Sequence, residues 1–401
     1  MHTISPRKKH FHPSRLHKVL AFLLAACMAI LAGCSSAGQT DSVQTSAEEN
    51  TDFNVAVFYY DYSDNYVSDV RMALTRYMAQ AGIPYSEYDA GANQSTQYSQ
   101  IDSAIAAHAS LLIVNIVNSG SSNTTDSICM KAYRAGIPVI FFNRSIEDNG
   151  DEGVILDYYD DVAFVGTDPA EGGHLQGKMI GNYLVDHFDE TDLNKDGVIS
   201  YALFKGEAKN AEAIYRTKYS VEDADEILTG AGYPSLYYFN QSSVDYYQLD
   251  LTGKWSSAAV HDYMETNLTQ YNEDLENMIE LVICNSDSMA EGAIRALQTY
   301  GYNLGKEAEC TTIPVFGVDA SIVGRQLISD GTMCGTIKQD ADGMAECILH
   351  LSKNVSEGKD LLDDTGKYDW DREHGLKNKL YIPYSVYDPT EDNEAEDDSS
   401  A

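Results

Sequence analysis

Residues Asp192 to Arg216 read D-L-N-K-D-G-V-I-S-Y-A-L-F-K-G-E-A-K-N-A-E-A-I-Y-R. The first half has the form of the front of a calcium-binding loop. Oxygen-bearing side chains stand at Asp192, Asn194 and Asp196, and Gly197 follows where the backbone must turn sharply. In a complete loop of this type a bidentate Glu closes the ion at the twelfth position. Here that position is Leu203, inside an apolar run from Ile199 to Phe204 that predicts a buried strand. Any closing carboxylate must therefore come from elsewhere in the chain. The second half, K-G-E followed by polar residues and Arg216, reads as a strand end opening onto a ligand cleft.

That strand is one of many. Apolar runs at 54–60, 110–117, 137–142, 162–166, 198–204, 279–284, 312–318 and 333–337 predict strands, most of them near-continuous in Val, Ile, Leu and Phe. Helical spacing fills 66–82, 97–108, 122–134, 169–188, 211–231, 256–270, 286–300 and 340–358. Strand alternating with helix implies an α/β protein with parallel sheets covered on both faces, which explains why the runs lack period-two alternation. So many units in 401 residues exceed one ordinary open sheet, and two doubly wound domains are the economical answer. Residues 358–379 are charged and loop-like, 380–386 predict a short strand, and an acidic tail expected to be disordered follows from Asp388.

The N-terminus is a separate matter. Residues 1–20 carry Arg7, Lys8, Lys9, Arg15 and Lys18 without an acid, an apolar run spans 19–32, and Leu31-Ala32-Gly33-Cys34 ends it. A basic stretch, a short apolar stretch and small residues before a Cys read as a secretory signal. The run of about fourteen residues falls short of the ~20 that span a bilayer. The ending looks like a bacterial lipobox, with Cys34 lipid-modified and residues 34–52 a flexible polar tether. Losing residues 1–33 would deepen the formal charge of −35 by five, a surface that repels nucleic acid and anionic lipid. Five cysteines remain, at 129, 284, 310, 334 and 347, an odd number without C-x-x-C spacing. That is neither a disulfide framework nor a zinc site; a Cys310–Cys334 bridge and buried thiols both stay open.

In doubly wound sheets, ligands sit at the carboxyl ends of the strands. Those ends share a chemical type: Asp64 and Tyr66, Asn115, Asn143, then Asn210, Glu212 and Arg216, then Asn285 to Asp287, Asp319, and Gln339 with Asp340. Short hydrogen-bonding side chains, one five-donor guanidinium, and aromatic faces at Tyr66 and Trp255 suit a sugar. Its hydroxyls donate and accept, while its C–H face packs on a ring. Any one Asn or Asp of this set is equally explained as a helix N-cap or turn former. The convergence of so many ends favours the ligand reading.

Specific motifs accompany this pattern: D-L-N-K-D-G-x-I with K-G-E behind it, S-D-N-Y-V-S, F-F-N, F-V-G-T-D, I-E-L-V-I-C-N-S-D and V-F-G-V-D-A. From about Asn54 to Tyr387 the chain resembles the bacterial galactose/glucose-binding proteins, extracytoplasmic receptors of sugar ABC transporters and chemotaxis. The resemblance implies a type I periplasmic-binding-protein-like fold, two doubly wound parallel-sheet lobes joined by a three-segment hinge. The implied lobes are 53–142 plus 340–377, and 143–339 plus 378–388, with residues 389–401 as the acidic tail. It implies a structural Ca2+ held by Asp192, Asn194, Asp196, the Val198 carbonyl, Ser200 and, from far away in sequence, bidentate Glu280. It also implies sugar contacts from Asp64, Tyr66, Asn115, Asn210, Glu212, Arg216, Trp255, Ser286, Asp319 and Gln339. Asp64 and Tyr66 match the family's Asp and stacking Phe, while Asn210 and Glu212 stand where the family has His and Asp, and Ser286 and Gln339 each where it has Asn. Those departures leave the identity of the sugar open among hexoses, pentoses and disaccharides. The implied function is a lipid-anchored, extracytoplasmic, monomeric receptor that closes on a galactose- or glucose-like monosaccharide and delivers it to a membrane ABC permease. A receptor feeding a chemoreceptor or histidine kinase shares the same site. A secreted sugar-processing enzyme is the remaining alternative, against which no G-x-S-x-G, H-E-x-x-H or Cys–His signature occurs.

Overall fold

The computed structural model describes residues 53–148 and 150–390. The predicted signal, Cys34, the tether and the tail beyond residue 390 lie outside the described residues. Four inner strands of the first sheet are short, apolar runs that could only be stable with both faces covered. β1 (Val55–Tyr59), β3 (Leu111–Val114), β4 (Val139–Phe142) and β5 (Val162–Gly166) are buried at every position, whereas β2 (Tyr85–Asp89), at the edge, is only partly so. They pair in parallel, with β1 between β2 and β3. The chain then enters a second sheet: β6 (Ser200–Lys205), β7 (Tyr237–Tyr238), β8 (Gln248–Leu249), β9 (Leu281–Cys284), β10 (Val315–Asp319) and β11 (Gly335–Gln339). Here too the first strand, β6, lies between the second, β7, and the next long one, β9. The hairpin β12 (Asp369–Asp371) and β13 (Leu376–Tyr381) returns to the first sheet beside β5, and β14 (Tyr384–Val386) pairs antiparallel with β11 in the second. In both sheets the order reverses beside the first strand, which places a topological switch point at β1/β3 and at β6/β9.

Helices cover these sheets: α1 (Asn65–Ala81), α2 (Gln94–Ala106), α3 (Ser122–Ala135), α4 (Pro169–Thr191), α5 (Ala211–Gly230), α6 (Ser257–Leu268), α7 (Asp287–Thr299), α8 (Ile322–Ser329) and α9 (Ala341–Ser356). Most start on a short polar side chain that accepts a first-turn N–H, as Asp64 does from Val67 and Asn210 from Ala213. α4 and α5 pack almost backbone to backbone, because α4 presents Gly173, Gly177 and Gly181 on one face. A Cβ at Gly177 would sit 2.3 Å from the Tyr219 carbonyl oxygen. Phe58, Phe141, Phe142, Phe204 and Phe316 are among the buried side chains of the two cores, each contributing ~1.5–3 kcal/mol by leaving water.

The structure moves two lobe boundaries. The expected crossover after residue 142 does not occur there: β5 pairs with β4 in the first sheet, and the chain crosses at Thr167–Asp168. The expected single strand at 380–386 is two, because Pro383 has no N–H to continue a ladder. β13 therefore stays in the first lobe and β14 in the second, and the boundary expected at 377/378 falls at Ile382–Pro383. The remaining crossover is at Asp340, between β11 and α9. Cys129, Cys284, Cys310, Cys334 and Cys347 are all free. Among the described residues no helix is long and apolar enough to cross a membrane.

Candidate functional site

Between the carboxyl ends of the two sheets lies a cavity of ≈ 310 Å³. α1 delivers Asp64 and Tyr66 to it from the first lobe. From the second come Asn210, Glu212 and Arg216 at the start of α5, Trp255 from the loop before α6, Ser286 at the start of α7, Asp319 ending β10 and Gln339 ending β11. Asp64, Asn210 and Ser286 are N-caps as well as wall residues, so the two readings of such positions are both met.

Asn115 is the exception. It is fully buried behind the wall, accepting from the Tyr60 N–H (3.2 Å) and donating to the Phe142 carbonyl (3.1 Å) and to Asn143 Oδ1 (3.1 Å). Its amide ties the ends of three strands together, and both of its N–H donors are engaged in doing so. Asn143 lines the cavity in its place, with Arg144, Lys254, Ser257 and Glu291 beyond the expected set. The F-F-N motif pointed to Asn143. Nothing in sequence pointed to Arg144, whose role depends on a partner in the other lobe.

Three wall residues have left-handed backbone: Asn143 (φ 64°), Trp255 (φ 55°) and Asp319 (φ 120°). Non-glycine residues are rarely found there, and such conformations concentrate at sites where side-chain aim matters more than local comfort. The Trp255 ring lies against Gly206 at the end of β6. A Cβ at Gly206 would be 2.2 Å from Trp255 Cδ2, so only glycine leaves the indole room.

Arg216 is the centre of the wall. Its Nη1 donates to the Asn285 carbonyl (2.8 Å) and approaches Asp319 Oδ1 (3.5 Å). Its Nη2 donates to Gln339 Oε1 (3.0 Å) and to the Tyr384 hydroxyl (2.7 Å), with Glu212 Oε2 at 3.2 Å. Burial opposes its charge, but Tyr384, Glu212 and Asp319 together outweigh that and hold the guanidinium protonated. Burial pushes the Asp319 carboxyl well above the usual carboxylate range. Arg216 pulls it back, and Asp287 and Asp64 add to the rise. Arg216 Nε, Gln339 Nε2, Asn285 Nδ2 and Ser257 Oγ are buried without a protein partner. Unpaired polar atoms are scarce in folded interiors, and these stand in or beside one wall.

Side chains also bridge the two lobes around the cavity. Lys254 donates to Asp61 (2.8 Å), Asn65 to Ser288 (2.8 Å), Asn210 to Ser119 (3.2 Å), and Arg144 to Glu207 (2.9 Å). Arg144 is 4% exposed, and the carbonyls of Ile116 and Val117 fix it. The arrangement is the closed one. A second cavity of ≈ 500 Å³, on the side of the β12–β13 hairpin, shares Asn143 and Glu212 with the first.

The loop expected to hold calcium is folded around Glu280, which is fully buried one residue before β9. Glu280 Oε1 accepts from the N–H groups of Leu193 (2.8 Å) and Asn194 (3.2 Å), and Oε2 from that of Ser200 (2.9 Å). Asp192 accepts from Asp196 and Gly197, and Asp196 from Val198. Ser200 Oγ donates to the Met278 carbonyl. The turn is made by Lys195 (φ 60°) and Gly197 (φ 85°). Burial pushes the Glu280 carboxyl above its usual range, and its three N–H donors pull it back. Among the described residues no group of three His, Cys, Asp or Glu side chains gathers closely enough to hold an ion. The all-oxygen donor chemistry nonetheless suits a hard cation, because each carboxylate keeps lone pairs beyond those given to the backbone.

Residues 55–360 match the family described as periplasmic binding protein domain. The D-galactose/methyl-galactoside binding periplasmic protein of Haemophilus influenzae is 32% identical over 342 residues, 84% of this chain and 90% of that protein. The D-xylose-binding periplasmic protein of Escherichia coli is 24% identical over 278 residues, covering 69% of each. Among solved structures, an ABC transporter solute binding protein from Actinobacillus succinogenes with bound D-allose superposes with a TM-score of 0.64. It is 16% identical, over 85% of this chain and 99% of that one. One from Clostridium phytofermentans with bound β-D-glucose gives 0.62 at 18% identity, over 85% and 96%. At these identities the two structures establish the two-lobed fold and not the ligand.

Proposed function

Since the chain belongs to the periplasmic binding protein family, we propose that it is the extracytoplasmic receptor of an ABC sugar transporter, closing on one galactose- or glucose-like monosaccharide. It is a binding protein and not an enzyme. The observation that carries the proposal is the cavity wall. Polar side chains from both lobes meet around the buried Arg216, with Tyr66 and Trp255 contributed by opposite lobes. A pyranose between the two rings would find donors and acceptors on its edge and apolar faces above and below. Its full set of contacts exists only when the lobes are together, so the sugar shifts an open–closed equilibrium toward the closed form. A membrane permease then recognises that form, while a chemoreceptor would read the same surface. The lipid anchor at Cys34 belongs to the same proposal. A thermal-shift screen of hexoses, pentoses and disaccharides tests it: one monosaccharide raises the melting temperature in a saturable way, whereas no response to any of them rejects the reading.

Calcium is proposed as a structural ion of the second lobe. Asp192, Asn194, Asp196, the Val198 carbonyl and Ser200 would hold it together with Glu280, and the ion would supply charge compensation to carboxylates that now lean on backbone N–H groups. Glu280 already joins the loop to β9 across 80 residues or more of sequence. Glu280→Gln is expected to lower the melting temperature much more in calcium than in chelator; equal losses in both media would sink the assignment.

A further inference from the structure

The chain crosses between the lobes at Thr167–Asp168, at Asp340 and at Ile382–Pro383, and a polar side chain beside each crossover reaches one ion pair. Thr167 donates to Glu212 Oε1 at 2.6 Å. Gln339, the last residue of β11, accepts from Arg216 Nη2 at 3.0 Å. Tyr384, the first residue of β14, accepts from Arg216 Nη2 at 2.7 Å and donates to Glu212 Oε2 at 2.6 Å. Gln339 lines the cavity; Thr167 and Tyr384 do not, and both are buried behind it.

Tyr384 is fixed on its other sides as well. Its N–H donates to Glu171 in the first turn of α4 (3.0 Å), and its ring lies where a Cβ at Gly172 would be 3.0 Å from its Cζ. The Arg216 guanidinium lies between two rings, 5.6 Å from the centroid of Tyr384 and 5.7 Å from that of Trp255. A change of backbone direction at Ile382–Pro383 therefore acts on Tyr384 first, through it on Arg216 and Glu212, and through Arg216 on the indole.

We infer that Tyr384 and Thr167 are positioning residues that link the hinge to the ligand wall, so that Arg216 and Glu212 are correctly aimed only at the closed hinge angle. The inference rests on the sugar-binding reading of the cavity. Glu212 is the shared relay: Thr167 holds one of its oxygens and Tyr384 the other. Removing the Tyr384 hydroxyl leaves the ring packing on Gly172 in place but takes one donor from Glu212 Oε2, which keeps Arg216 Nη2 at 3.2 Å, and one acceptor from Arg216.

The test uses the full chain and the variants Tyr384→Phe, Thr167→Val and their combination. Stopped-flow and calorimetry are run with D-glucose and D-galactose, and small-angle scattering with no sugar present. Tyr384→Phe is expected to raise the dissociation constant about tenfold, mainly through faster dissociation. Thr167→Val is expected to act in the same direction and more weakly. The double variant should lose little beyond Tyr384→Phe, because both act on Glu212 and the Thr167 hydroxyl also lies 3.2 Å from that of Tyr384. In scattering, Tyr384→Phe is expected to shift the distance distribution toward the open form. Wild-type affinity and dissociation rate in Tyr384→Phe, or strictly additive losses in the double variant, would overturn the inference. If the wild type binds neither sugar, the glucose or galactose identity fails and scattering alone decides the link: an unchanged distribution in both single variants overturns it. Should Tyr384→Phe not fold, Thr167→Val carries the same measurements.

Discussion

Gly206 and Trp255 make one structural unit from two distant positions, because the indole occupies the volume a side chain on β6's last turn would need. Gly206→Ala is therefore expected to displace the ring and weaken sugar binding by at least about tenfold, ~1.4 kcal/mol. Calorimetry well below the melting temperature checks it, since the overlap with the buried ring also costs ~1–3 kcal/mol in stability. Asn115 gives a different pattern. Replacing it with Ala strips partners from the buried Tyr60 N–H and Phe142 carbonyl, at a cost of ~1–3 kcal/mol in stability by urea unfolding. Affinity should fall far less than in Trp255→Ala. Most of the wall was legible in sequence because strand-end Asn, Asp and Gln are both cap formers and ligand donors. Asn115 was misread because the two uses look alike until the amide's partners are known. Arg144 was invisible because an Arg after a strand is ordinary until Glu207 is seen across the cleft.

At the scale of elements, the strands that could be read were those buried on both faces, where hydrophobicity is continuous. β2, reading Y-S-E-Y-D at a sheet edge, lacks that signal, and the break between β13 and β14 depends on one proline inside a run that looks continuous. α4 carries its reason openly in Gly173, Gly177 and Gly181. Gly177→Ala forces its Cβ into the Tyr219 carbonyl and is expected to destabilise by ~1–3 kcal/mol, seen as a lower urea midpoint. The β12–β13 hairpin offers a pH test. Burial pushes the Asp371 carboxyl up, but hydrogen bonds from Lys379 (2.9 Å) and His374 (3.0 Å) outweigh it and hold it at about 2. A carboxylate depressed in the folded state stabilises above its unfolded value of ~3.9 and loses that stabilisation as pH falls toward the folded one. Melting temperatures of wild type and Asp371→Asn should therefore differ by a constant amount from pH ~7 to ~5 and converge between pH ~4 and ~2. A gap that widens as pH falls from ~4 to ~2 would contradict the assigned partners.

For the whole molecule, two sheets of the same winding put their switch points face to face, so one cavity collects the ends of both. The loop at 192–198 and the wall at 210–216 lie at opposite ends of β6 and the turn that follows it. One end is tied to Glu280 and the other to the hinge through Tyr384. The bridges Lys254–Asp61 and Arg144–Glu207 add charge-assisted bonds between the two lobes. The exposed Lys254 pair is the more salt-sensitive, because solvent ions screen it while Arg144 is buried. This closed cavity is proposed to hold a monosaccharide against Trp255. The most direct measurement is calorimetric titration of the full chain and of Trp255→Ala with the sugar that raises the wild-type melting temperature, followed by chromatography of the recovered sugar. One saturable site per chain, an affinity lower by orders of magnitude in the variant, and sugar recovered unchanged are expected. Equal affinity in both proteins, or sugar converted to product, would contradict the proposal.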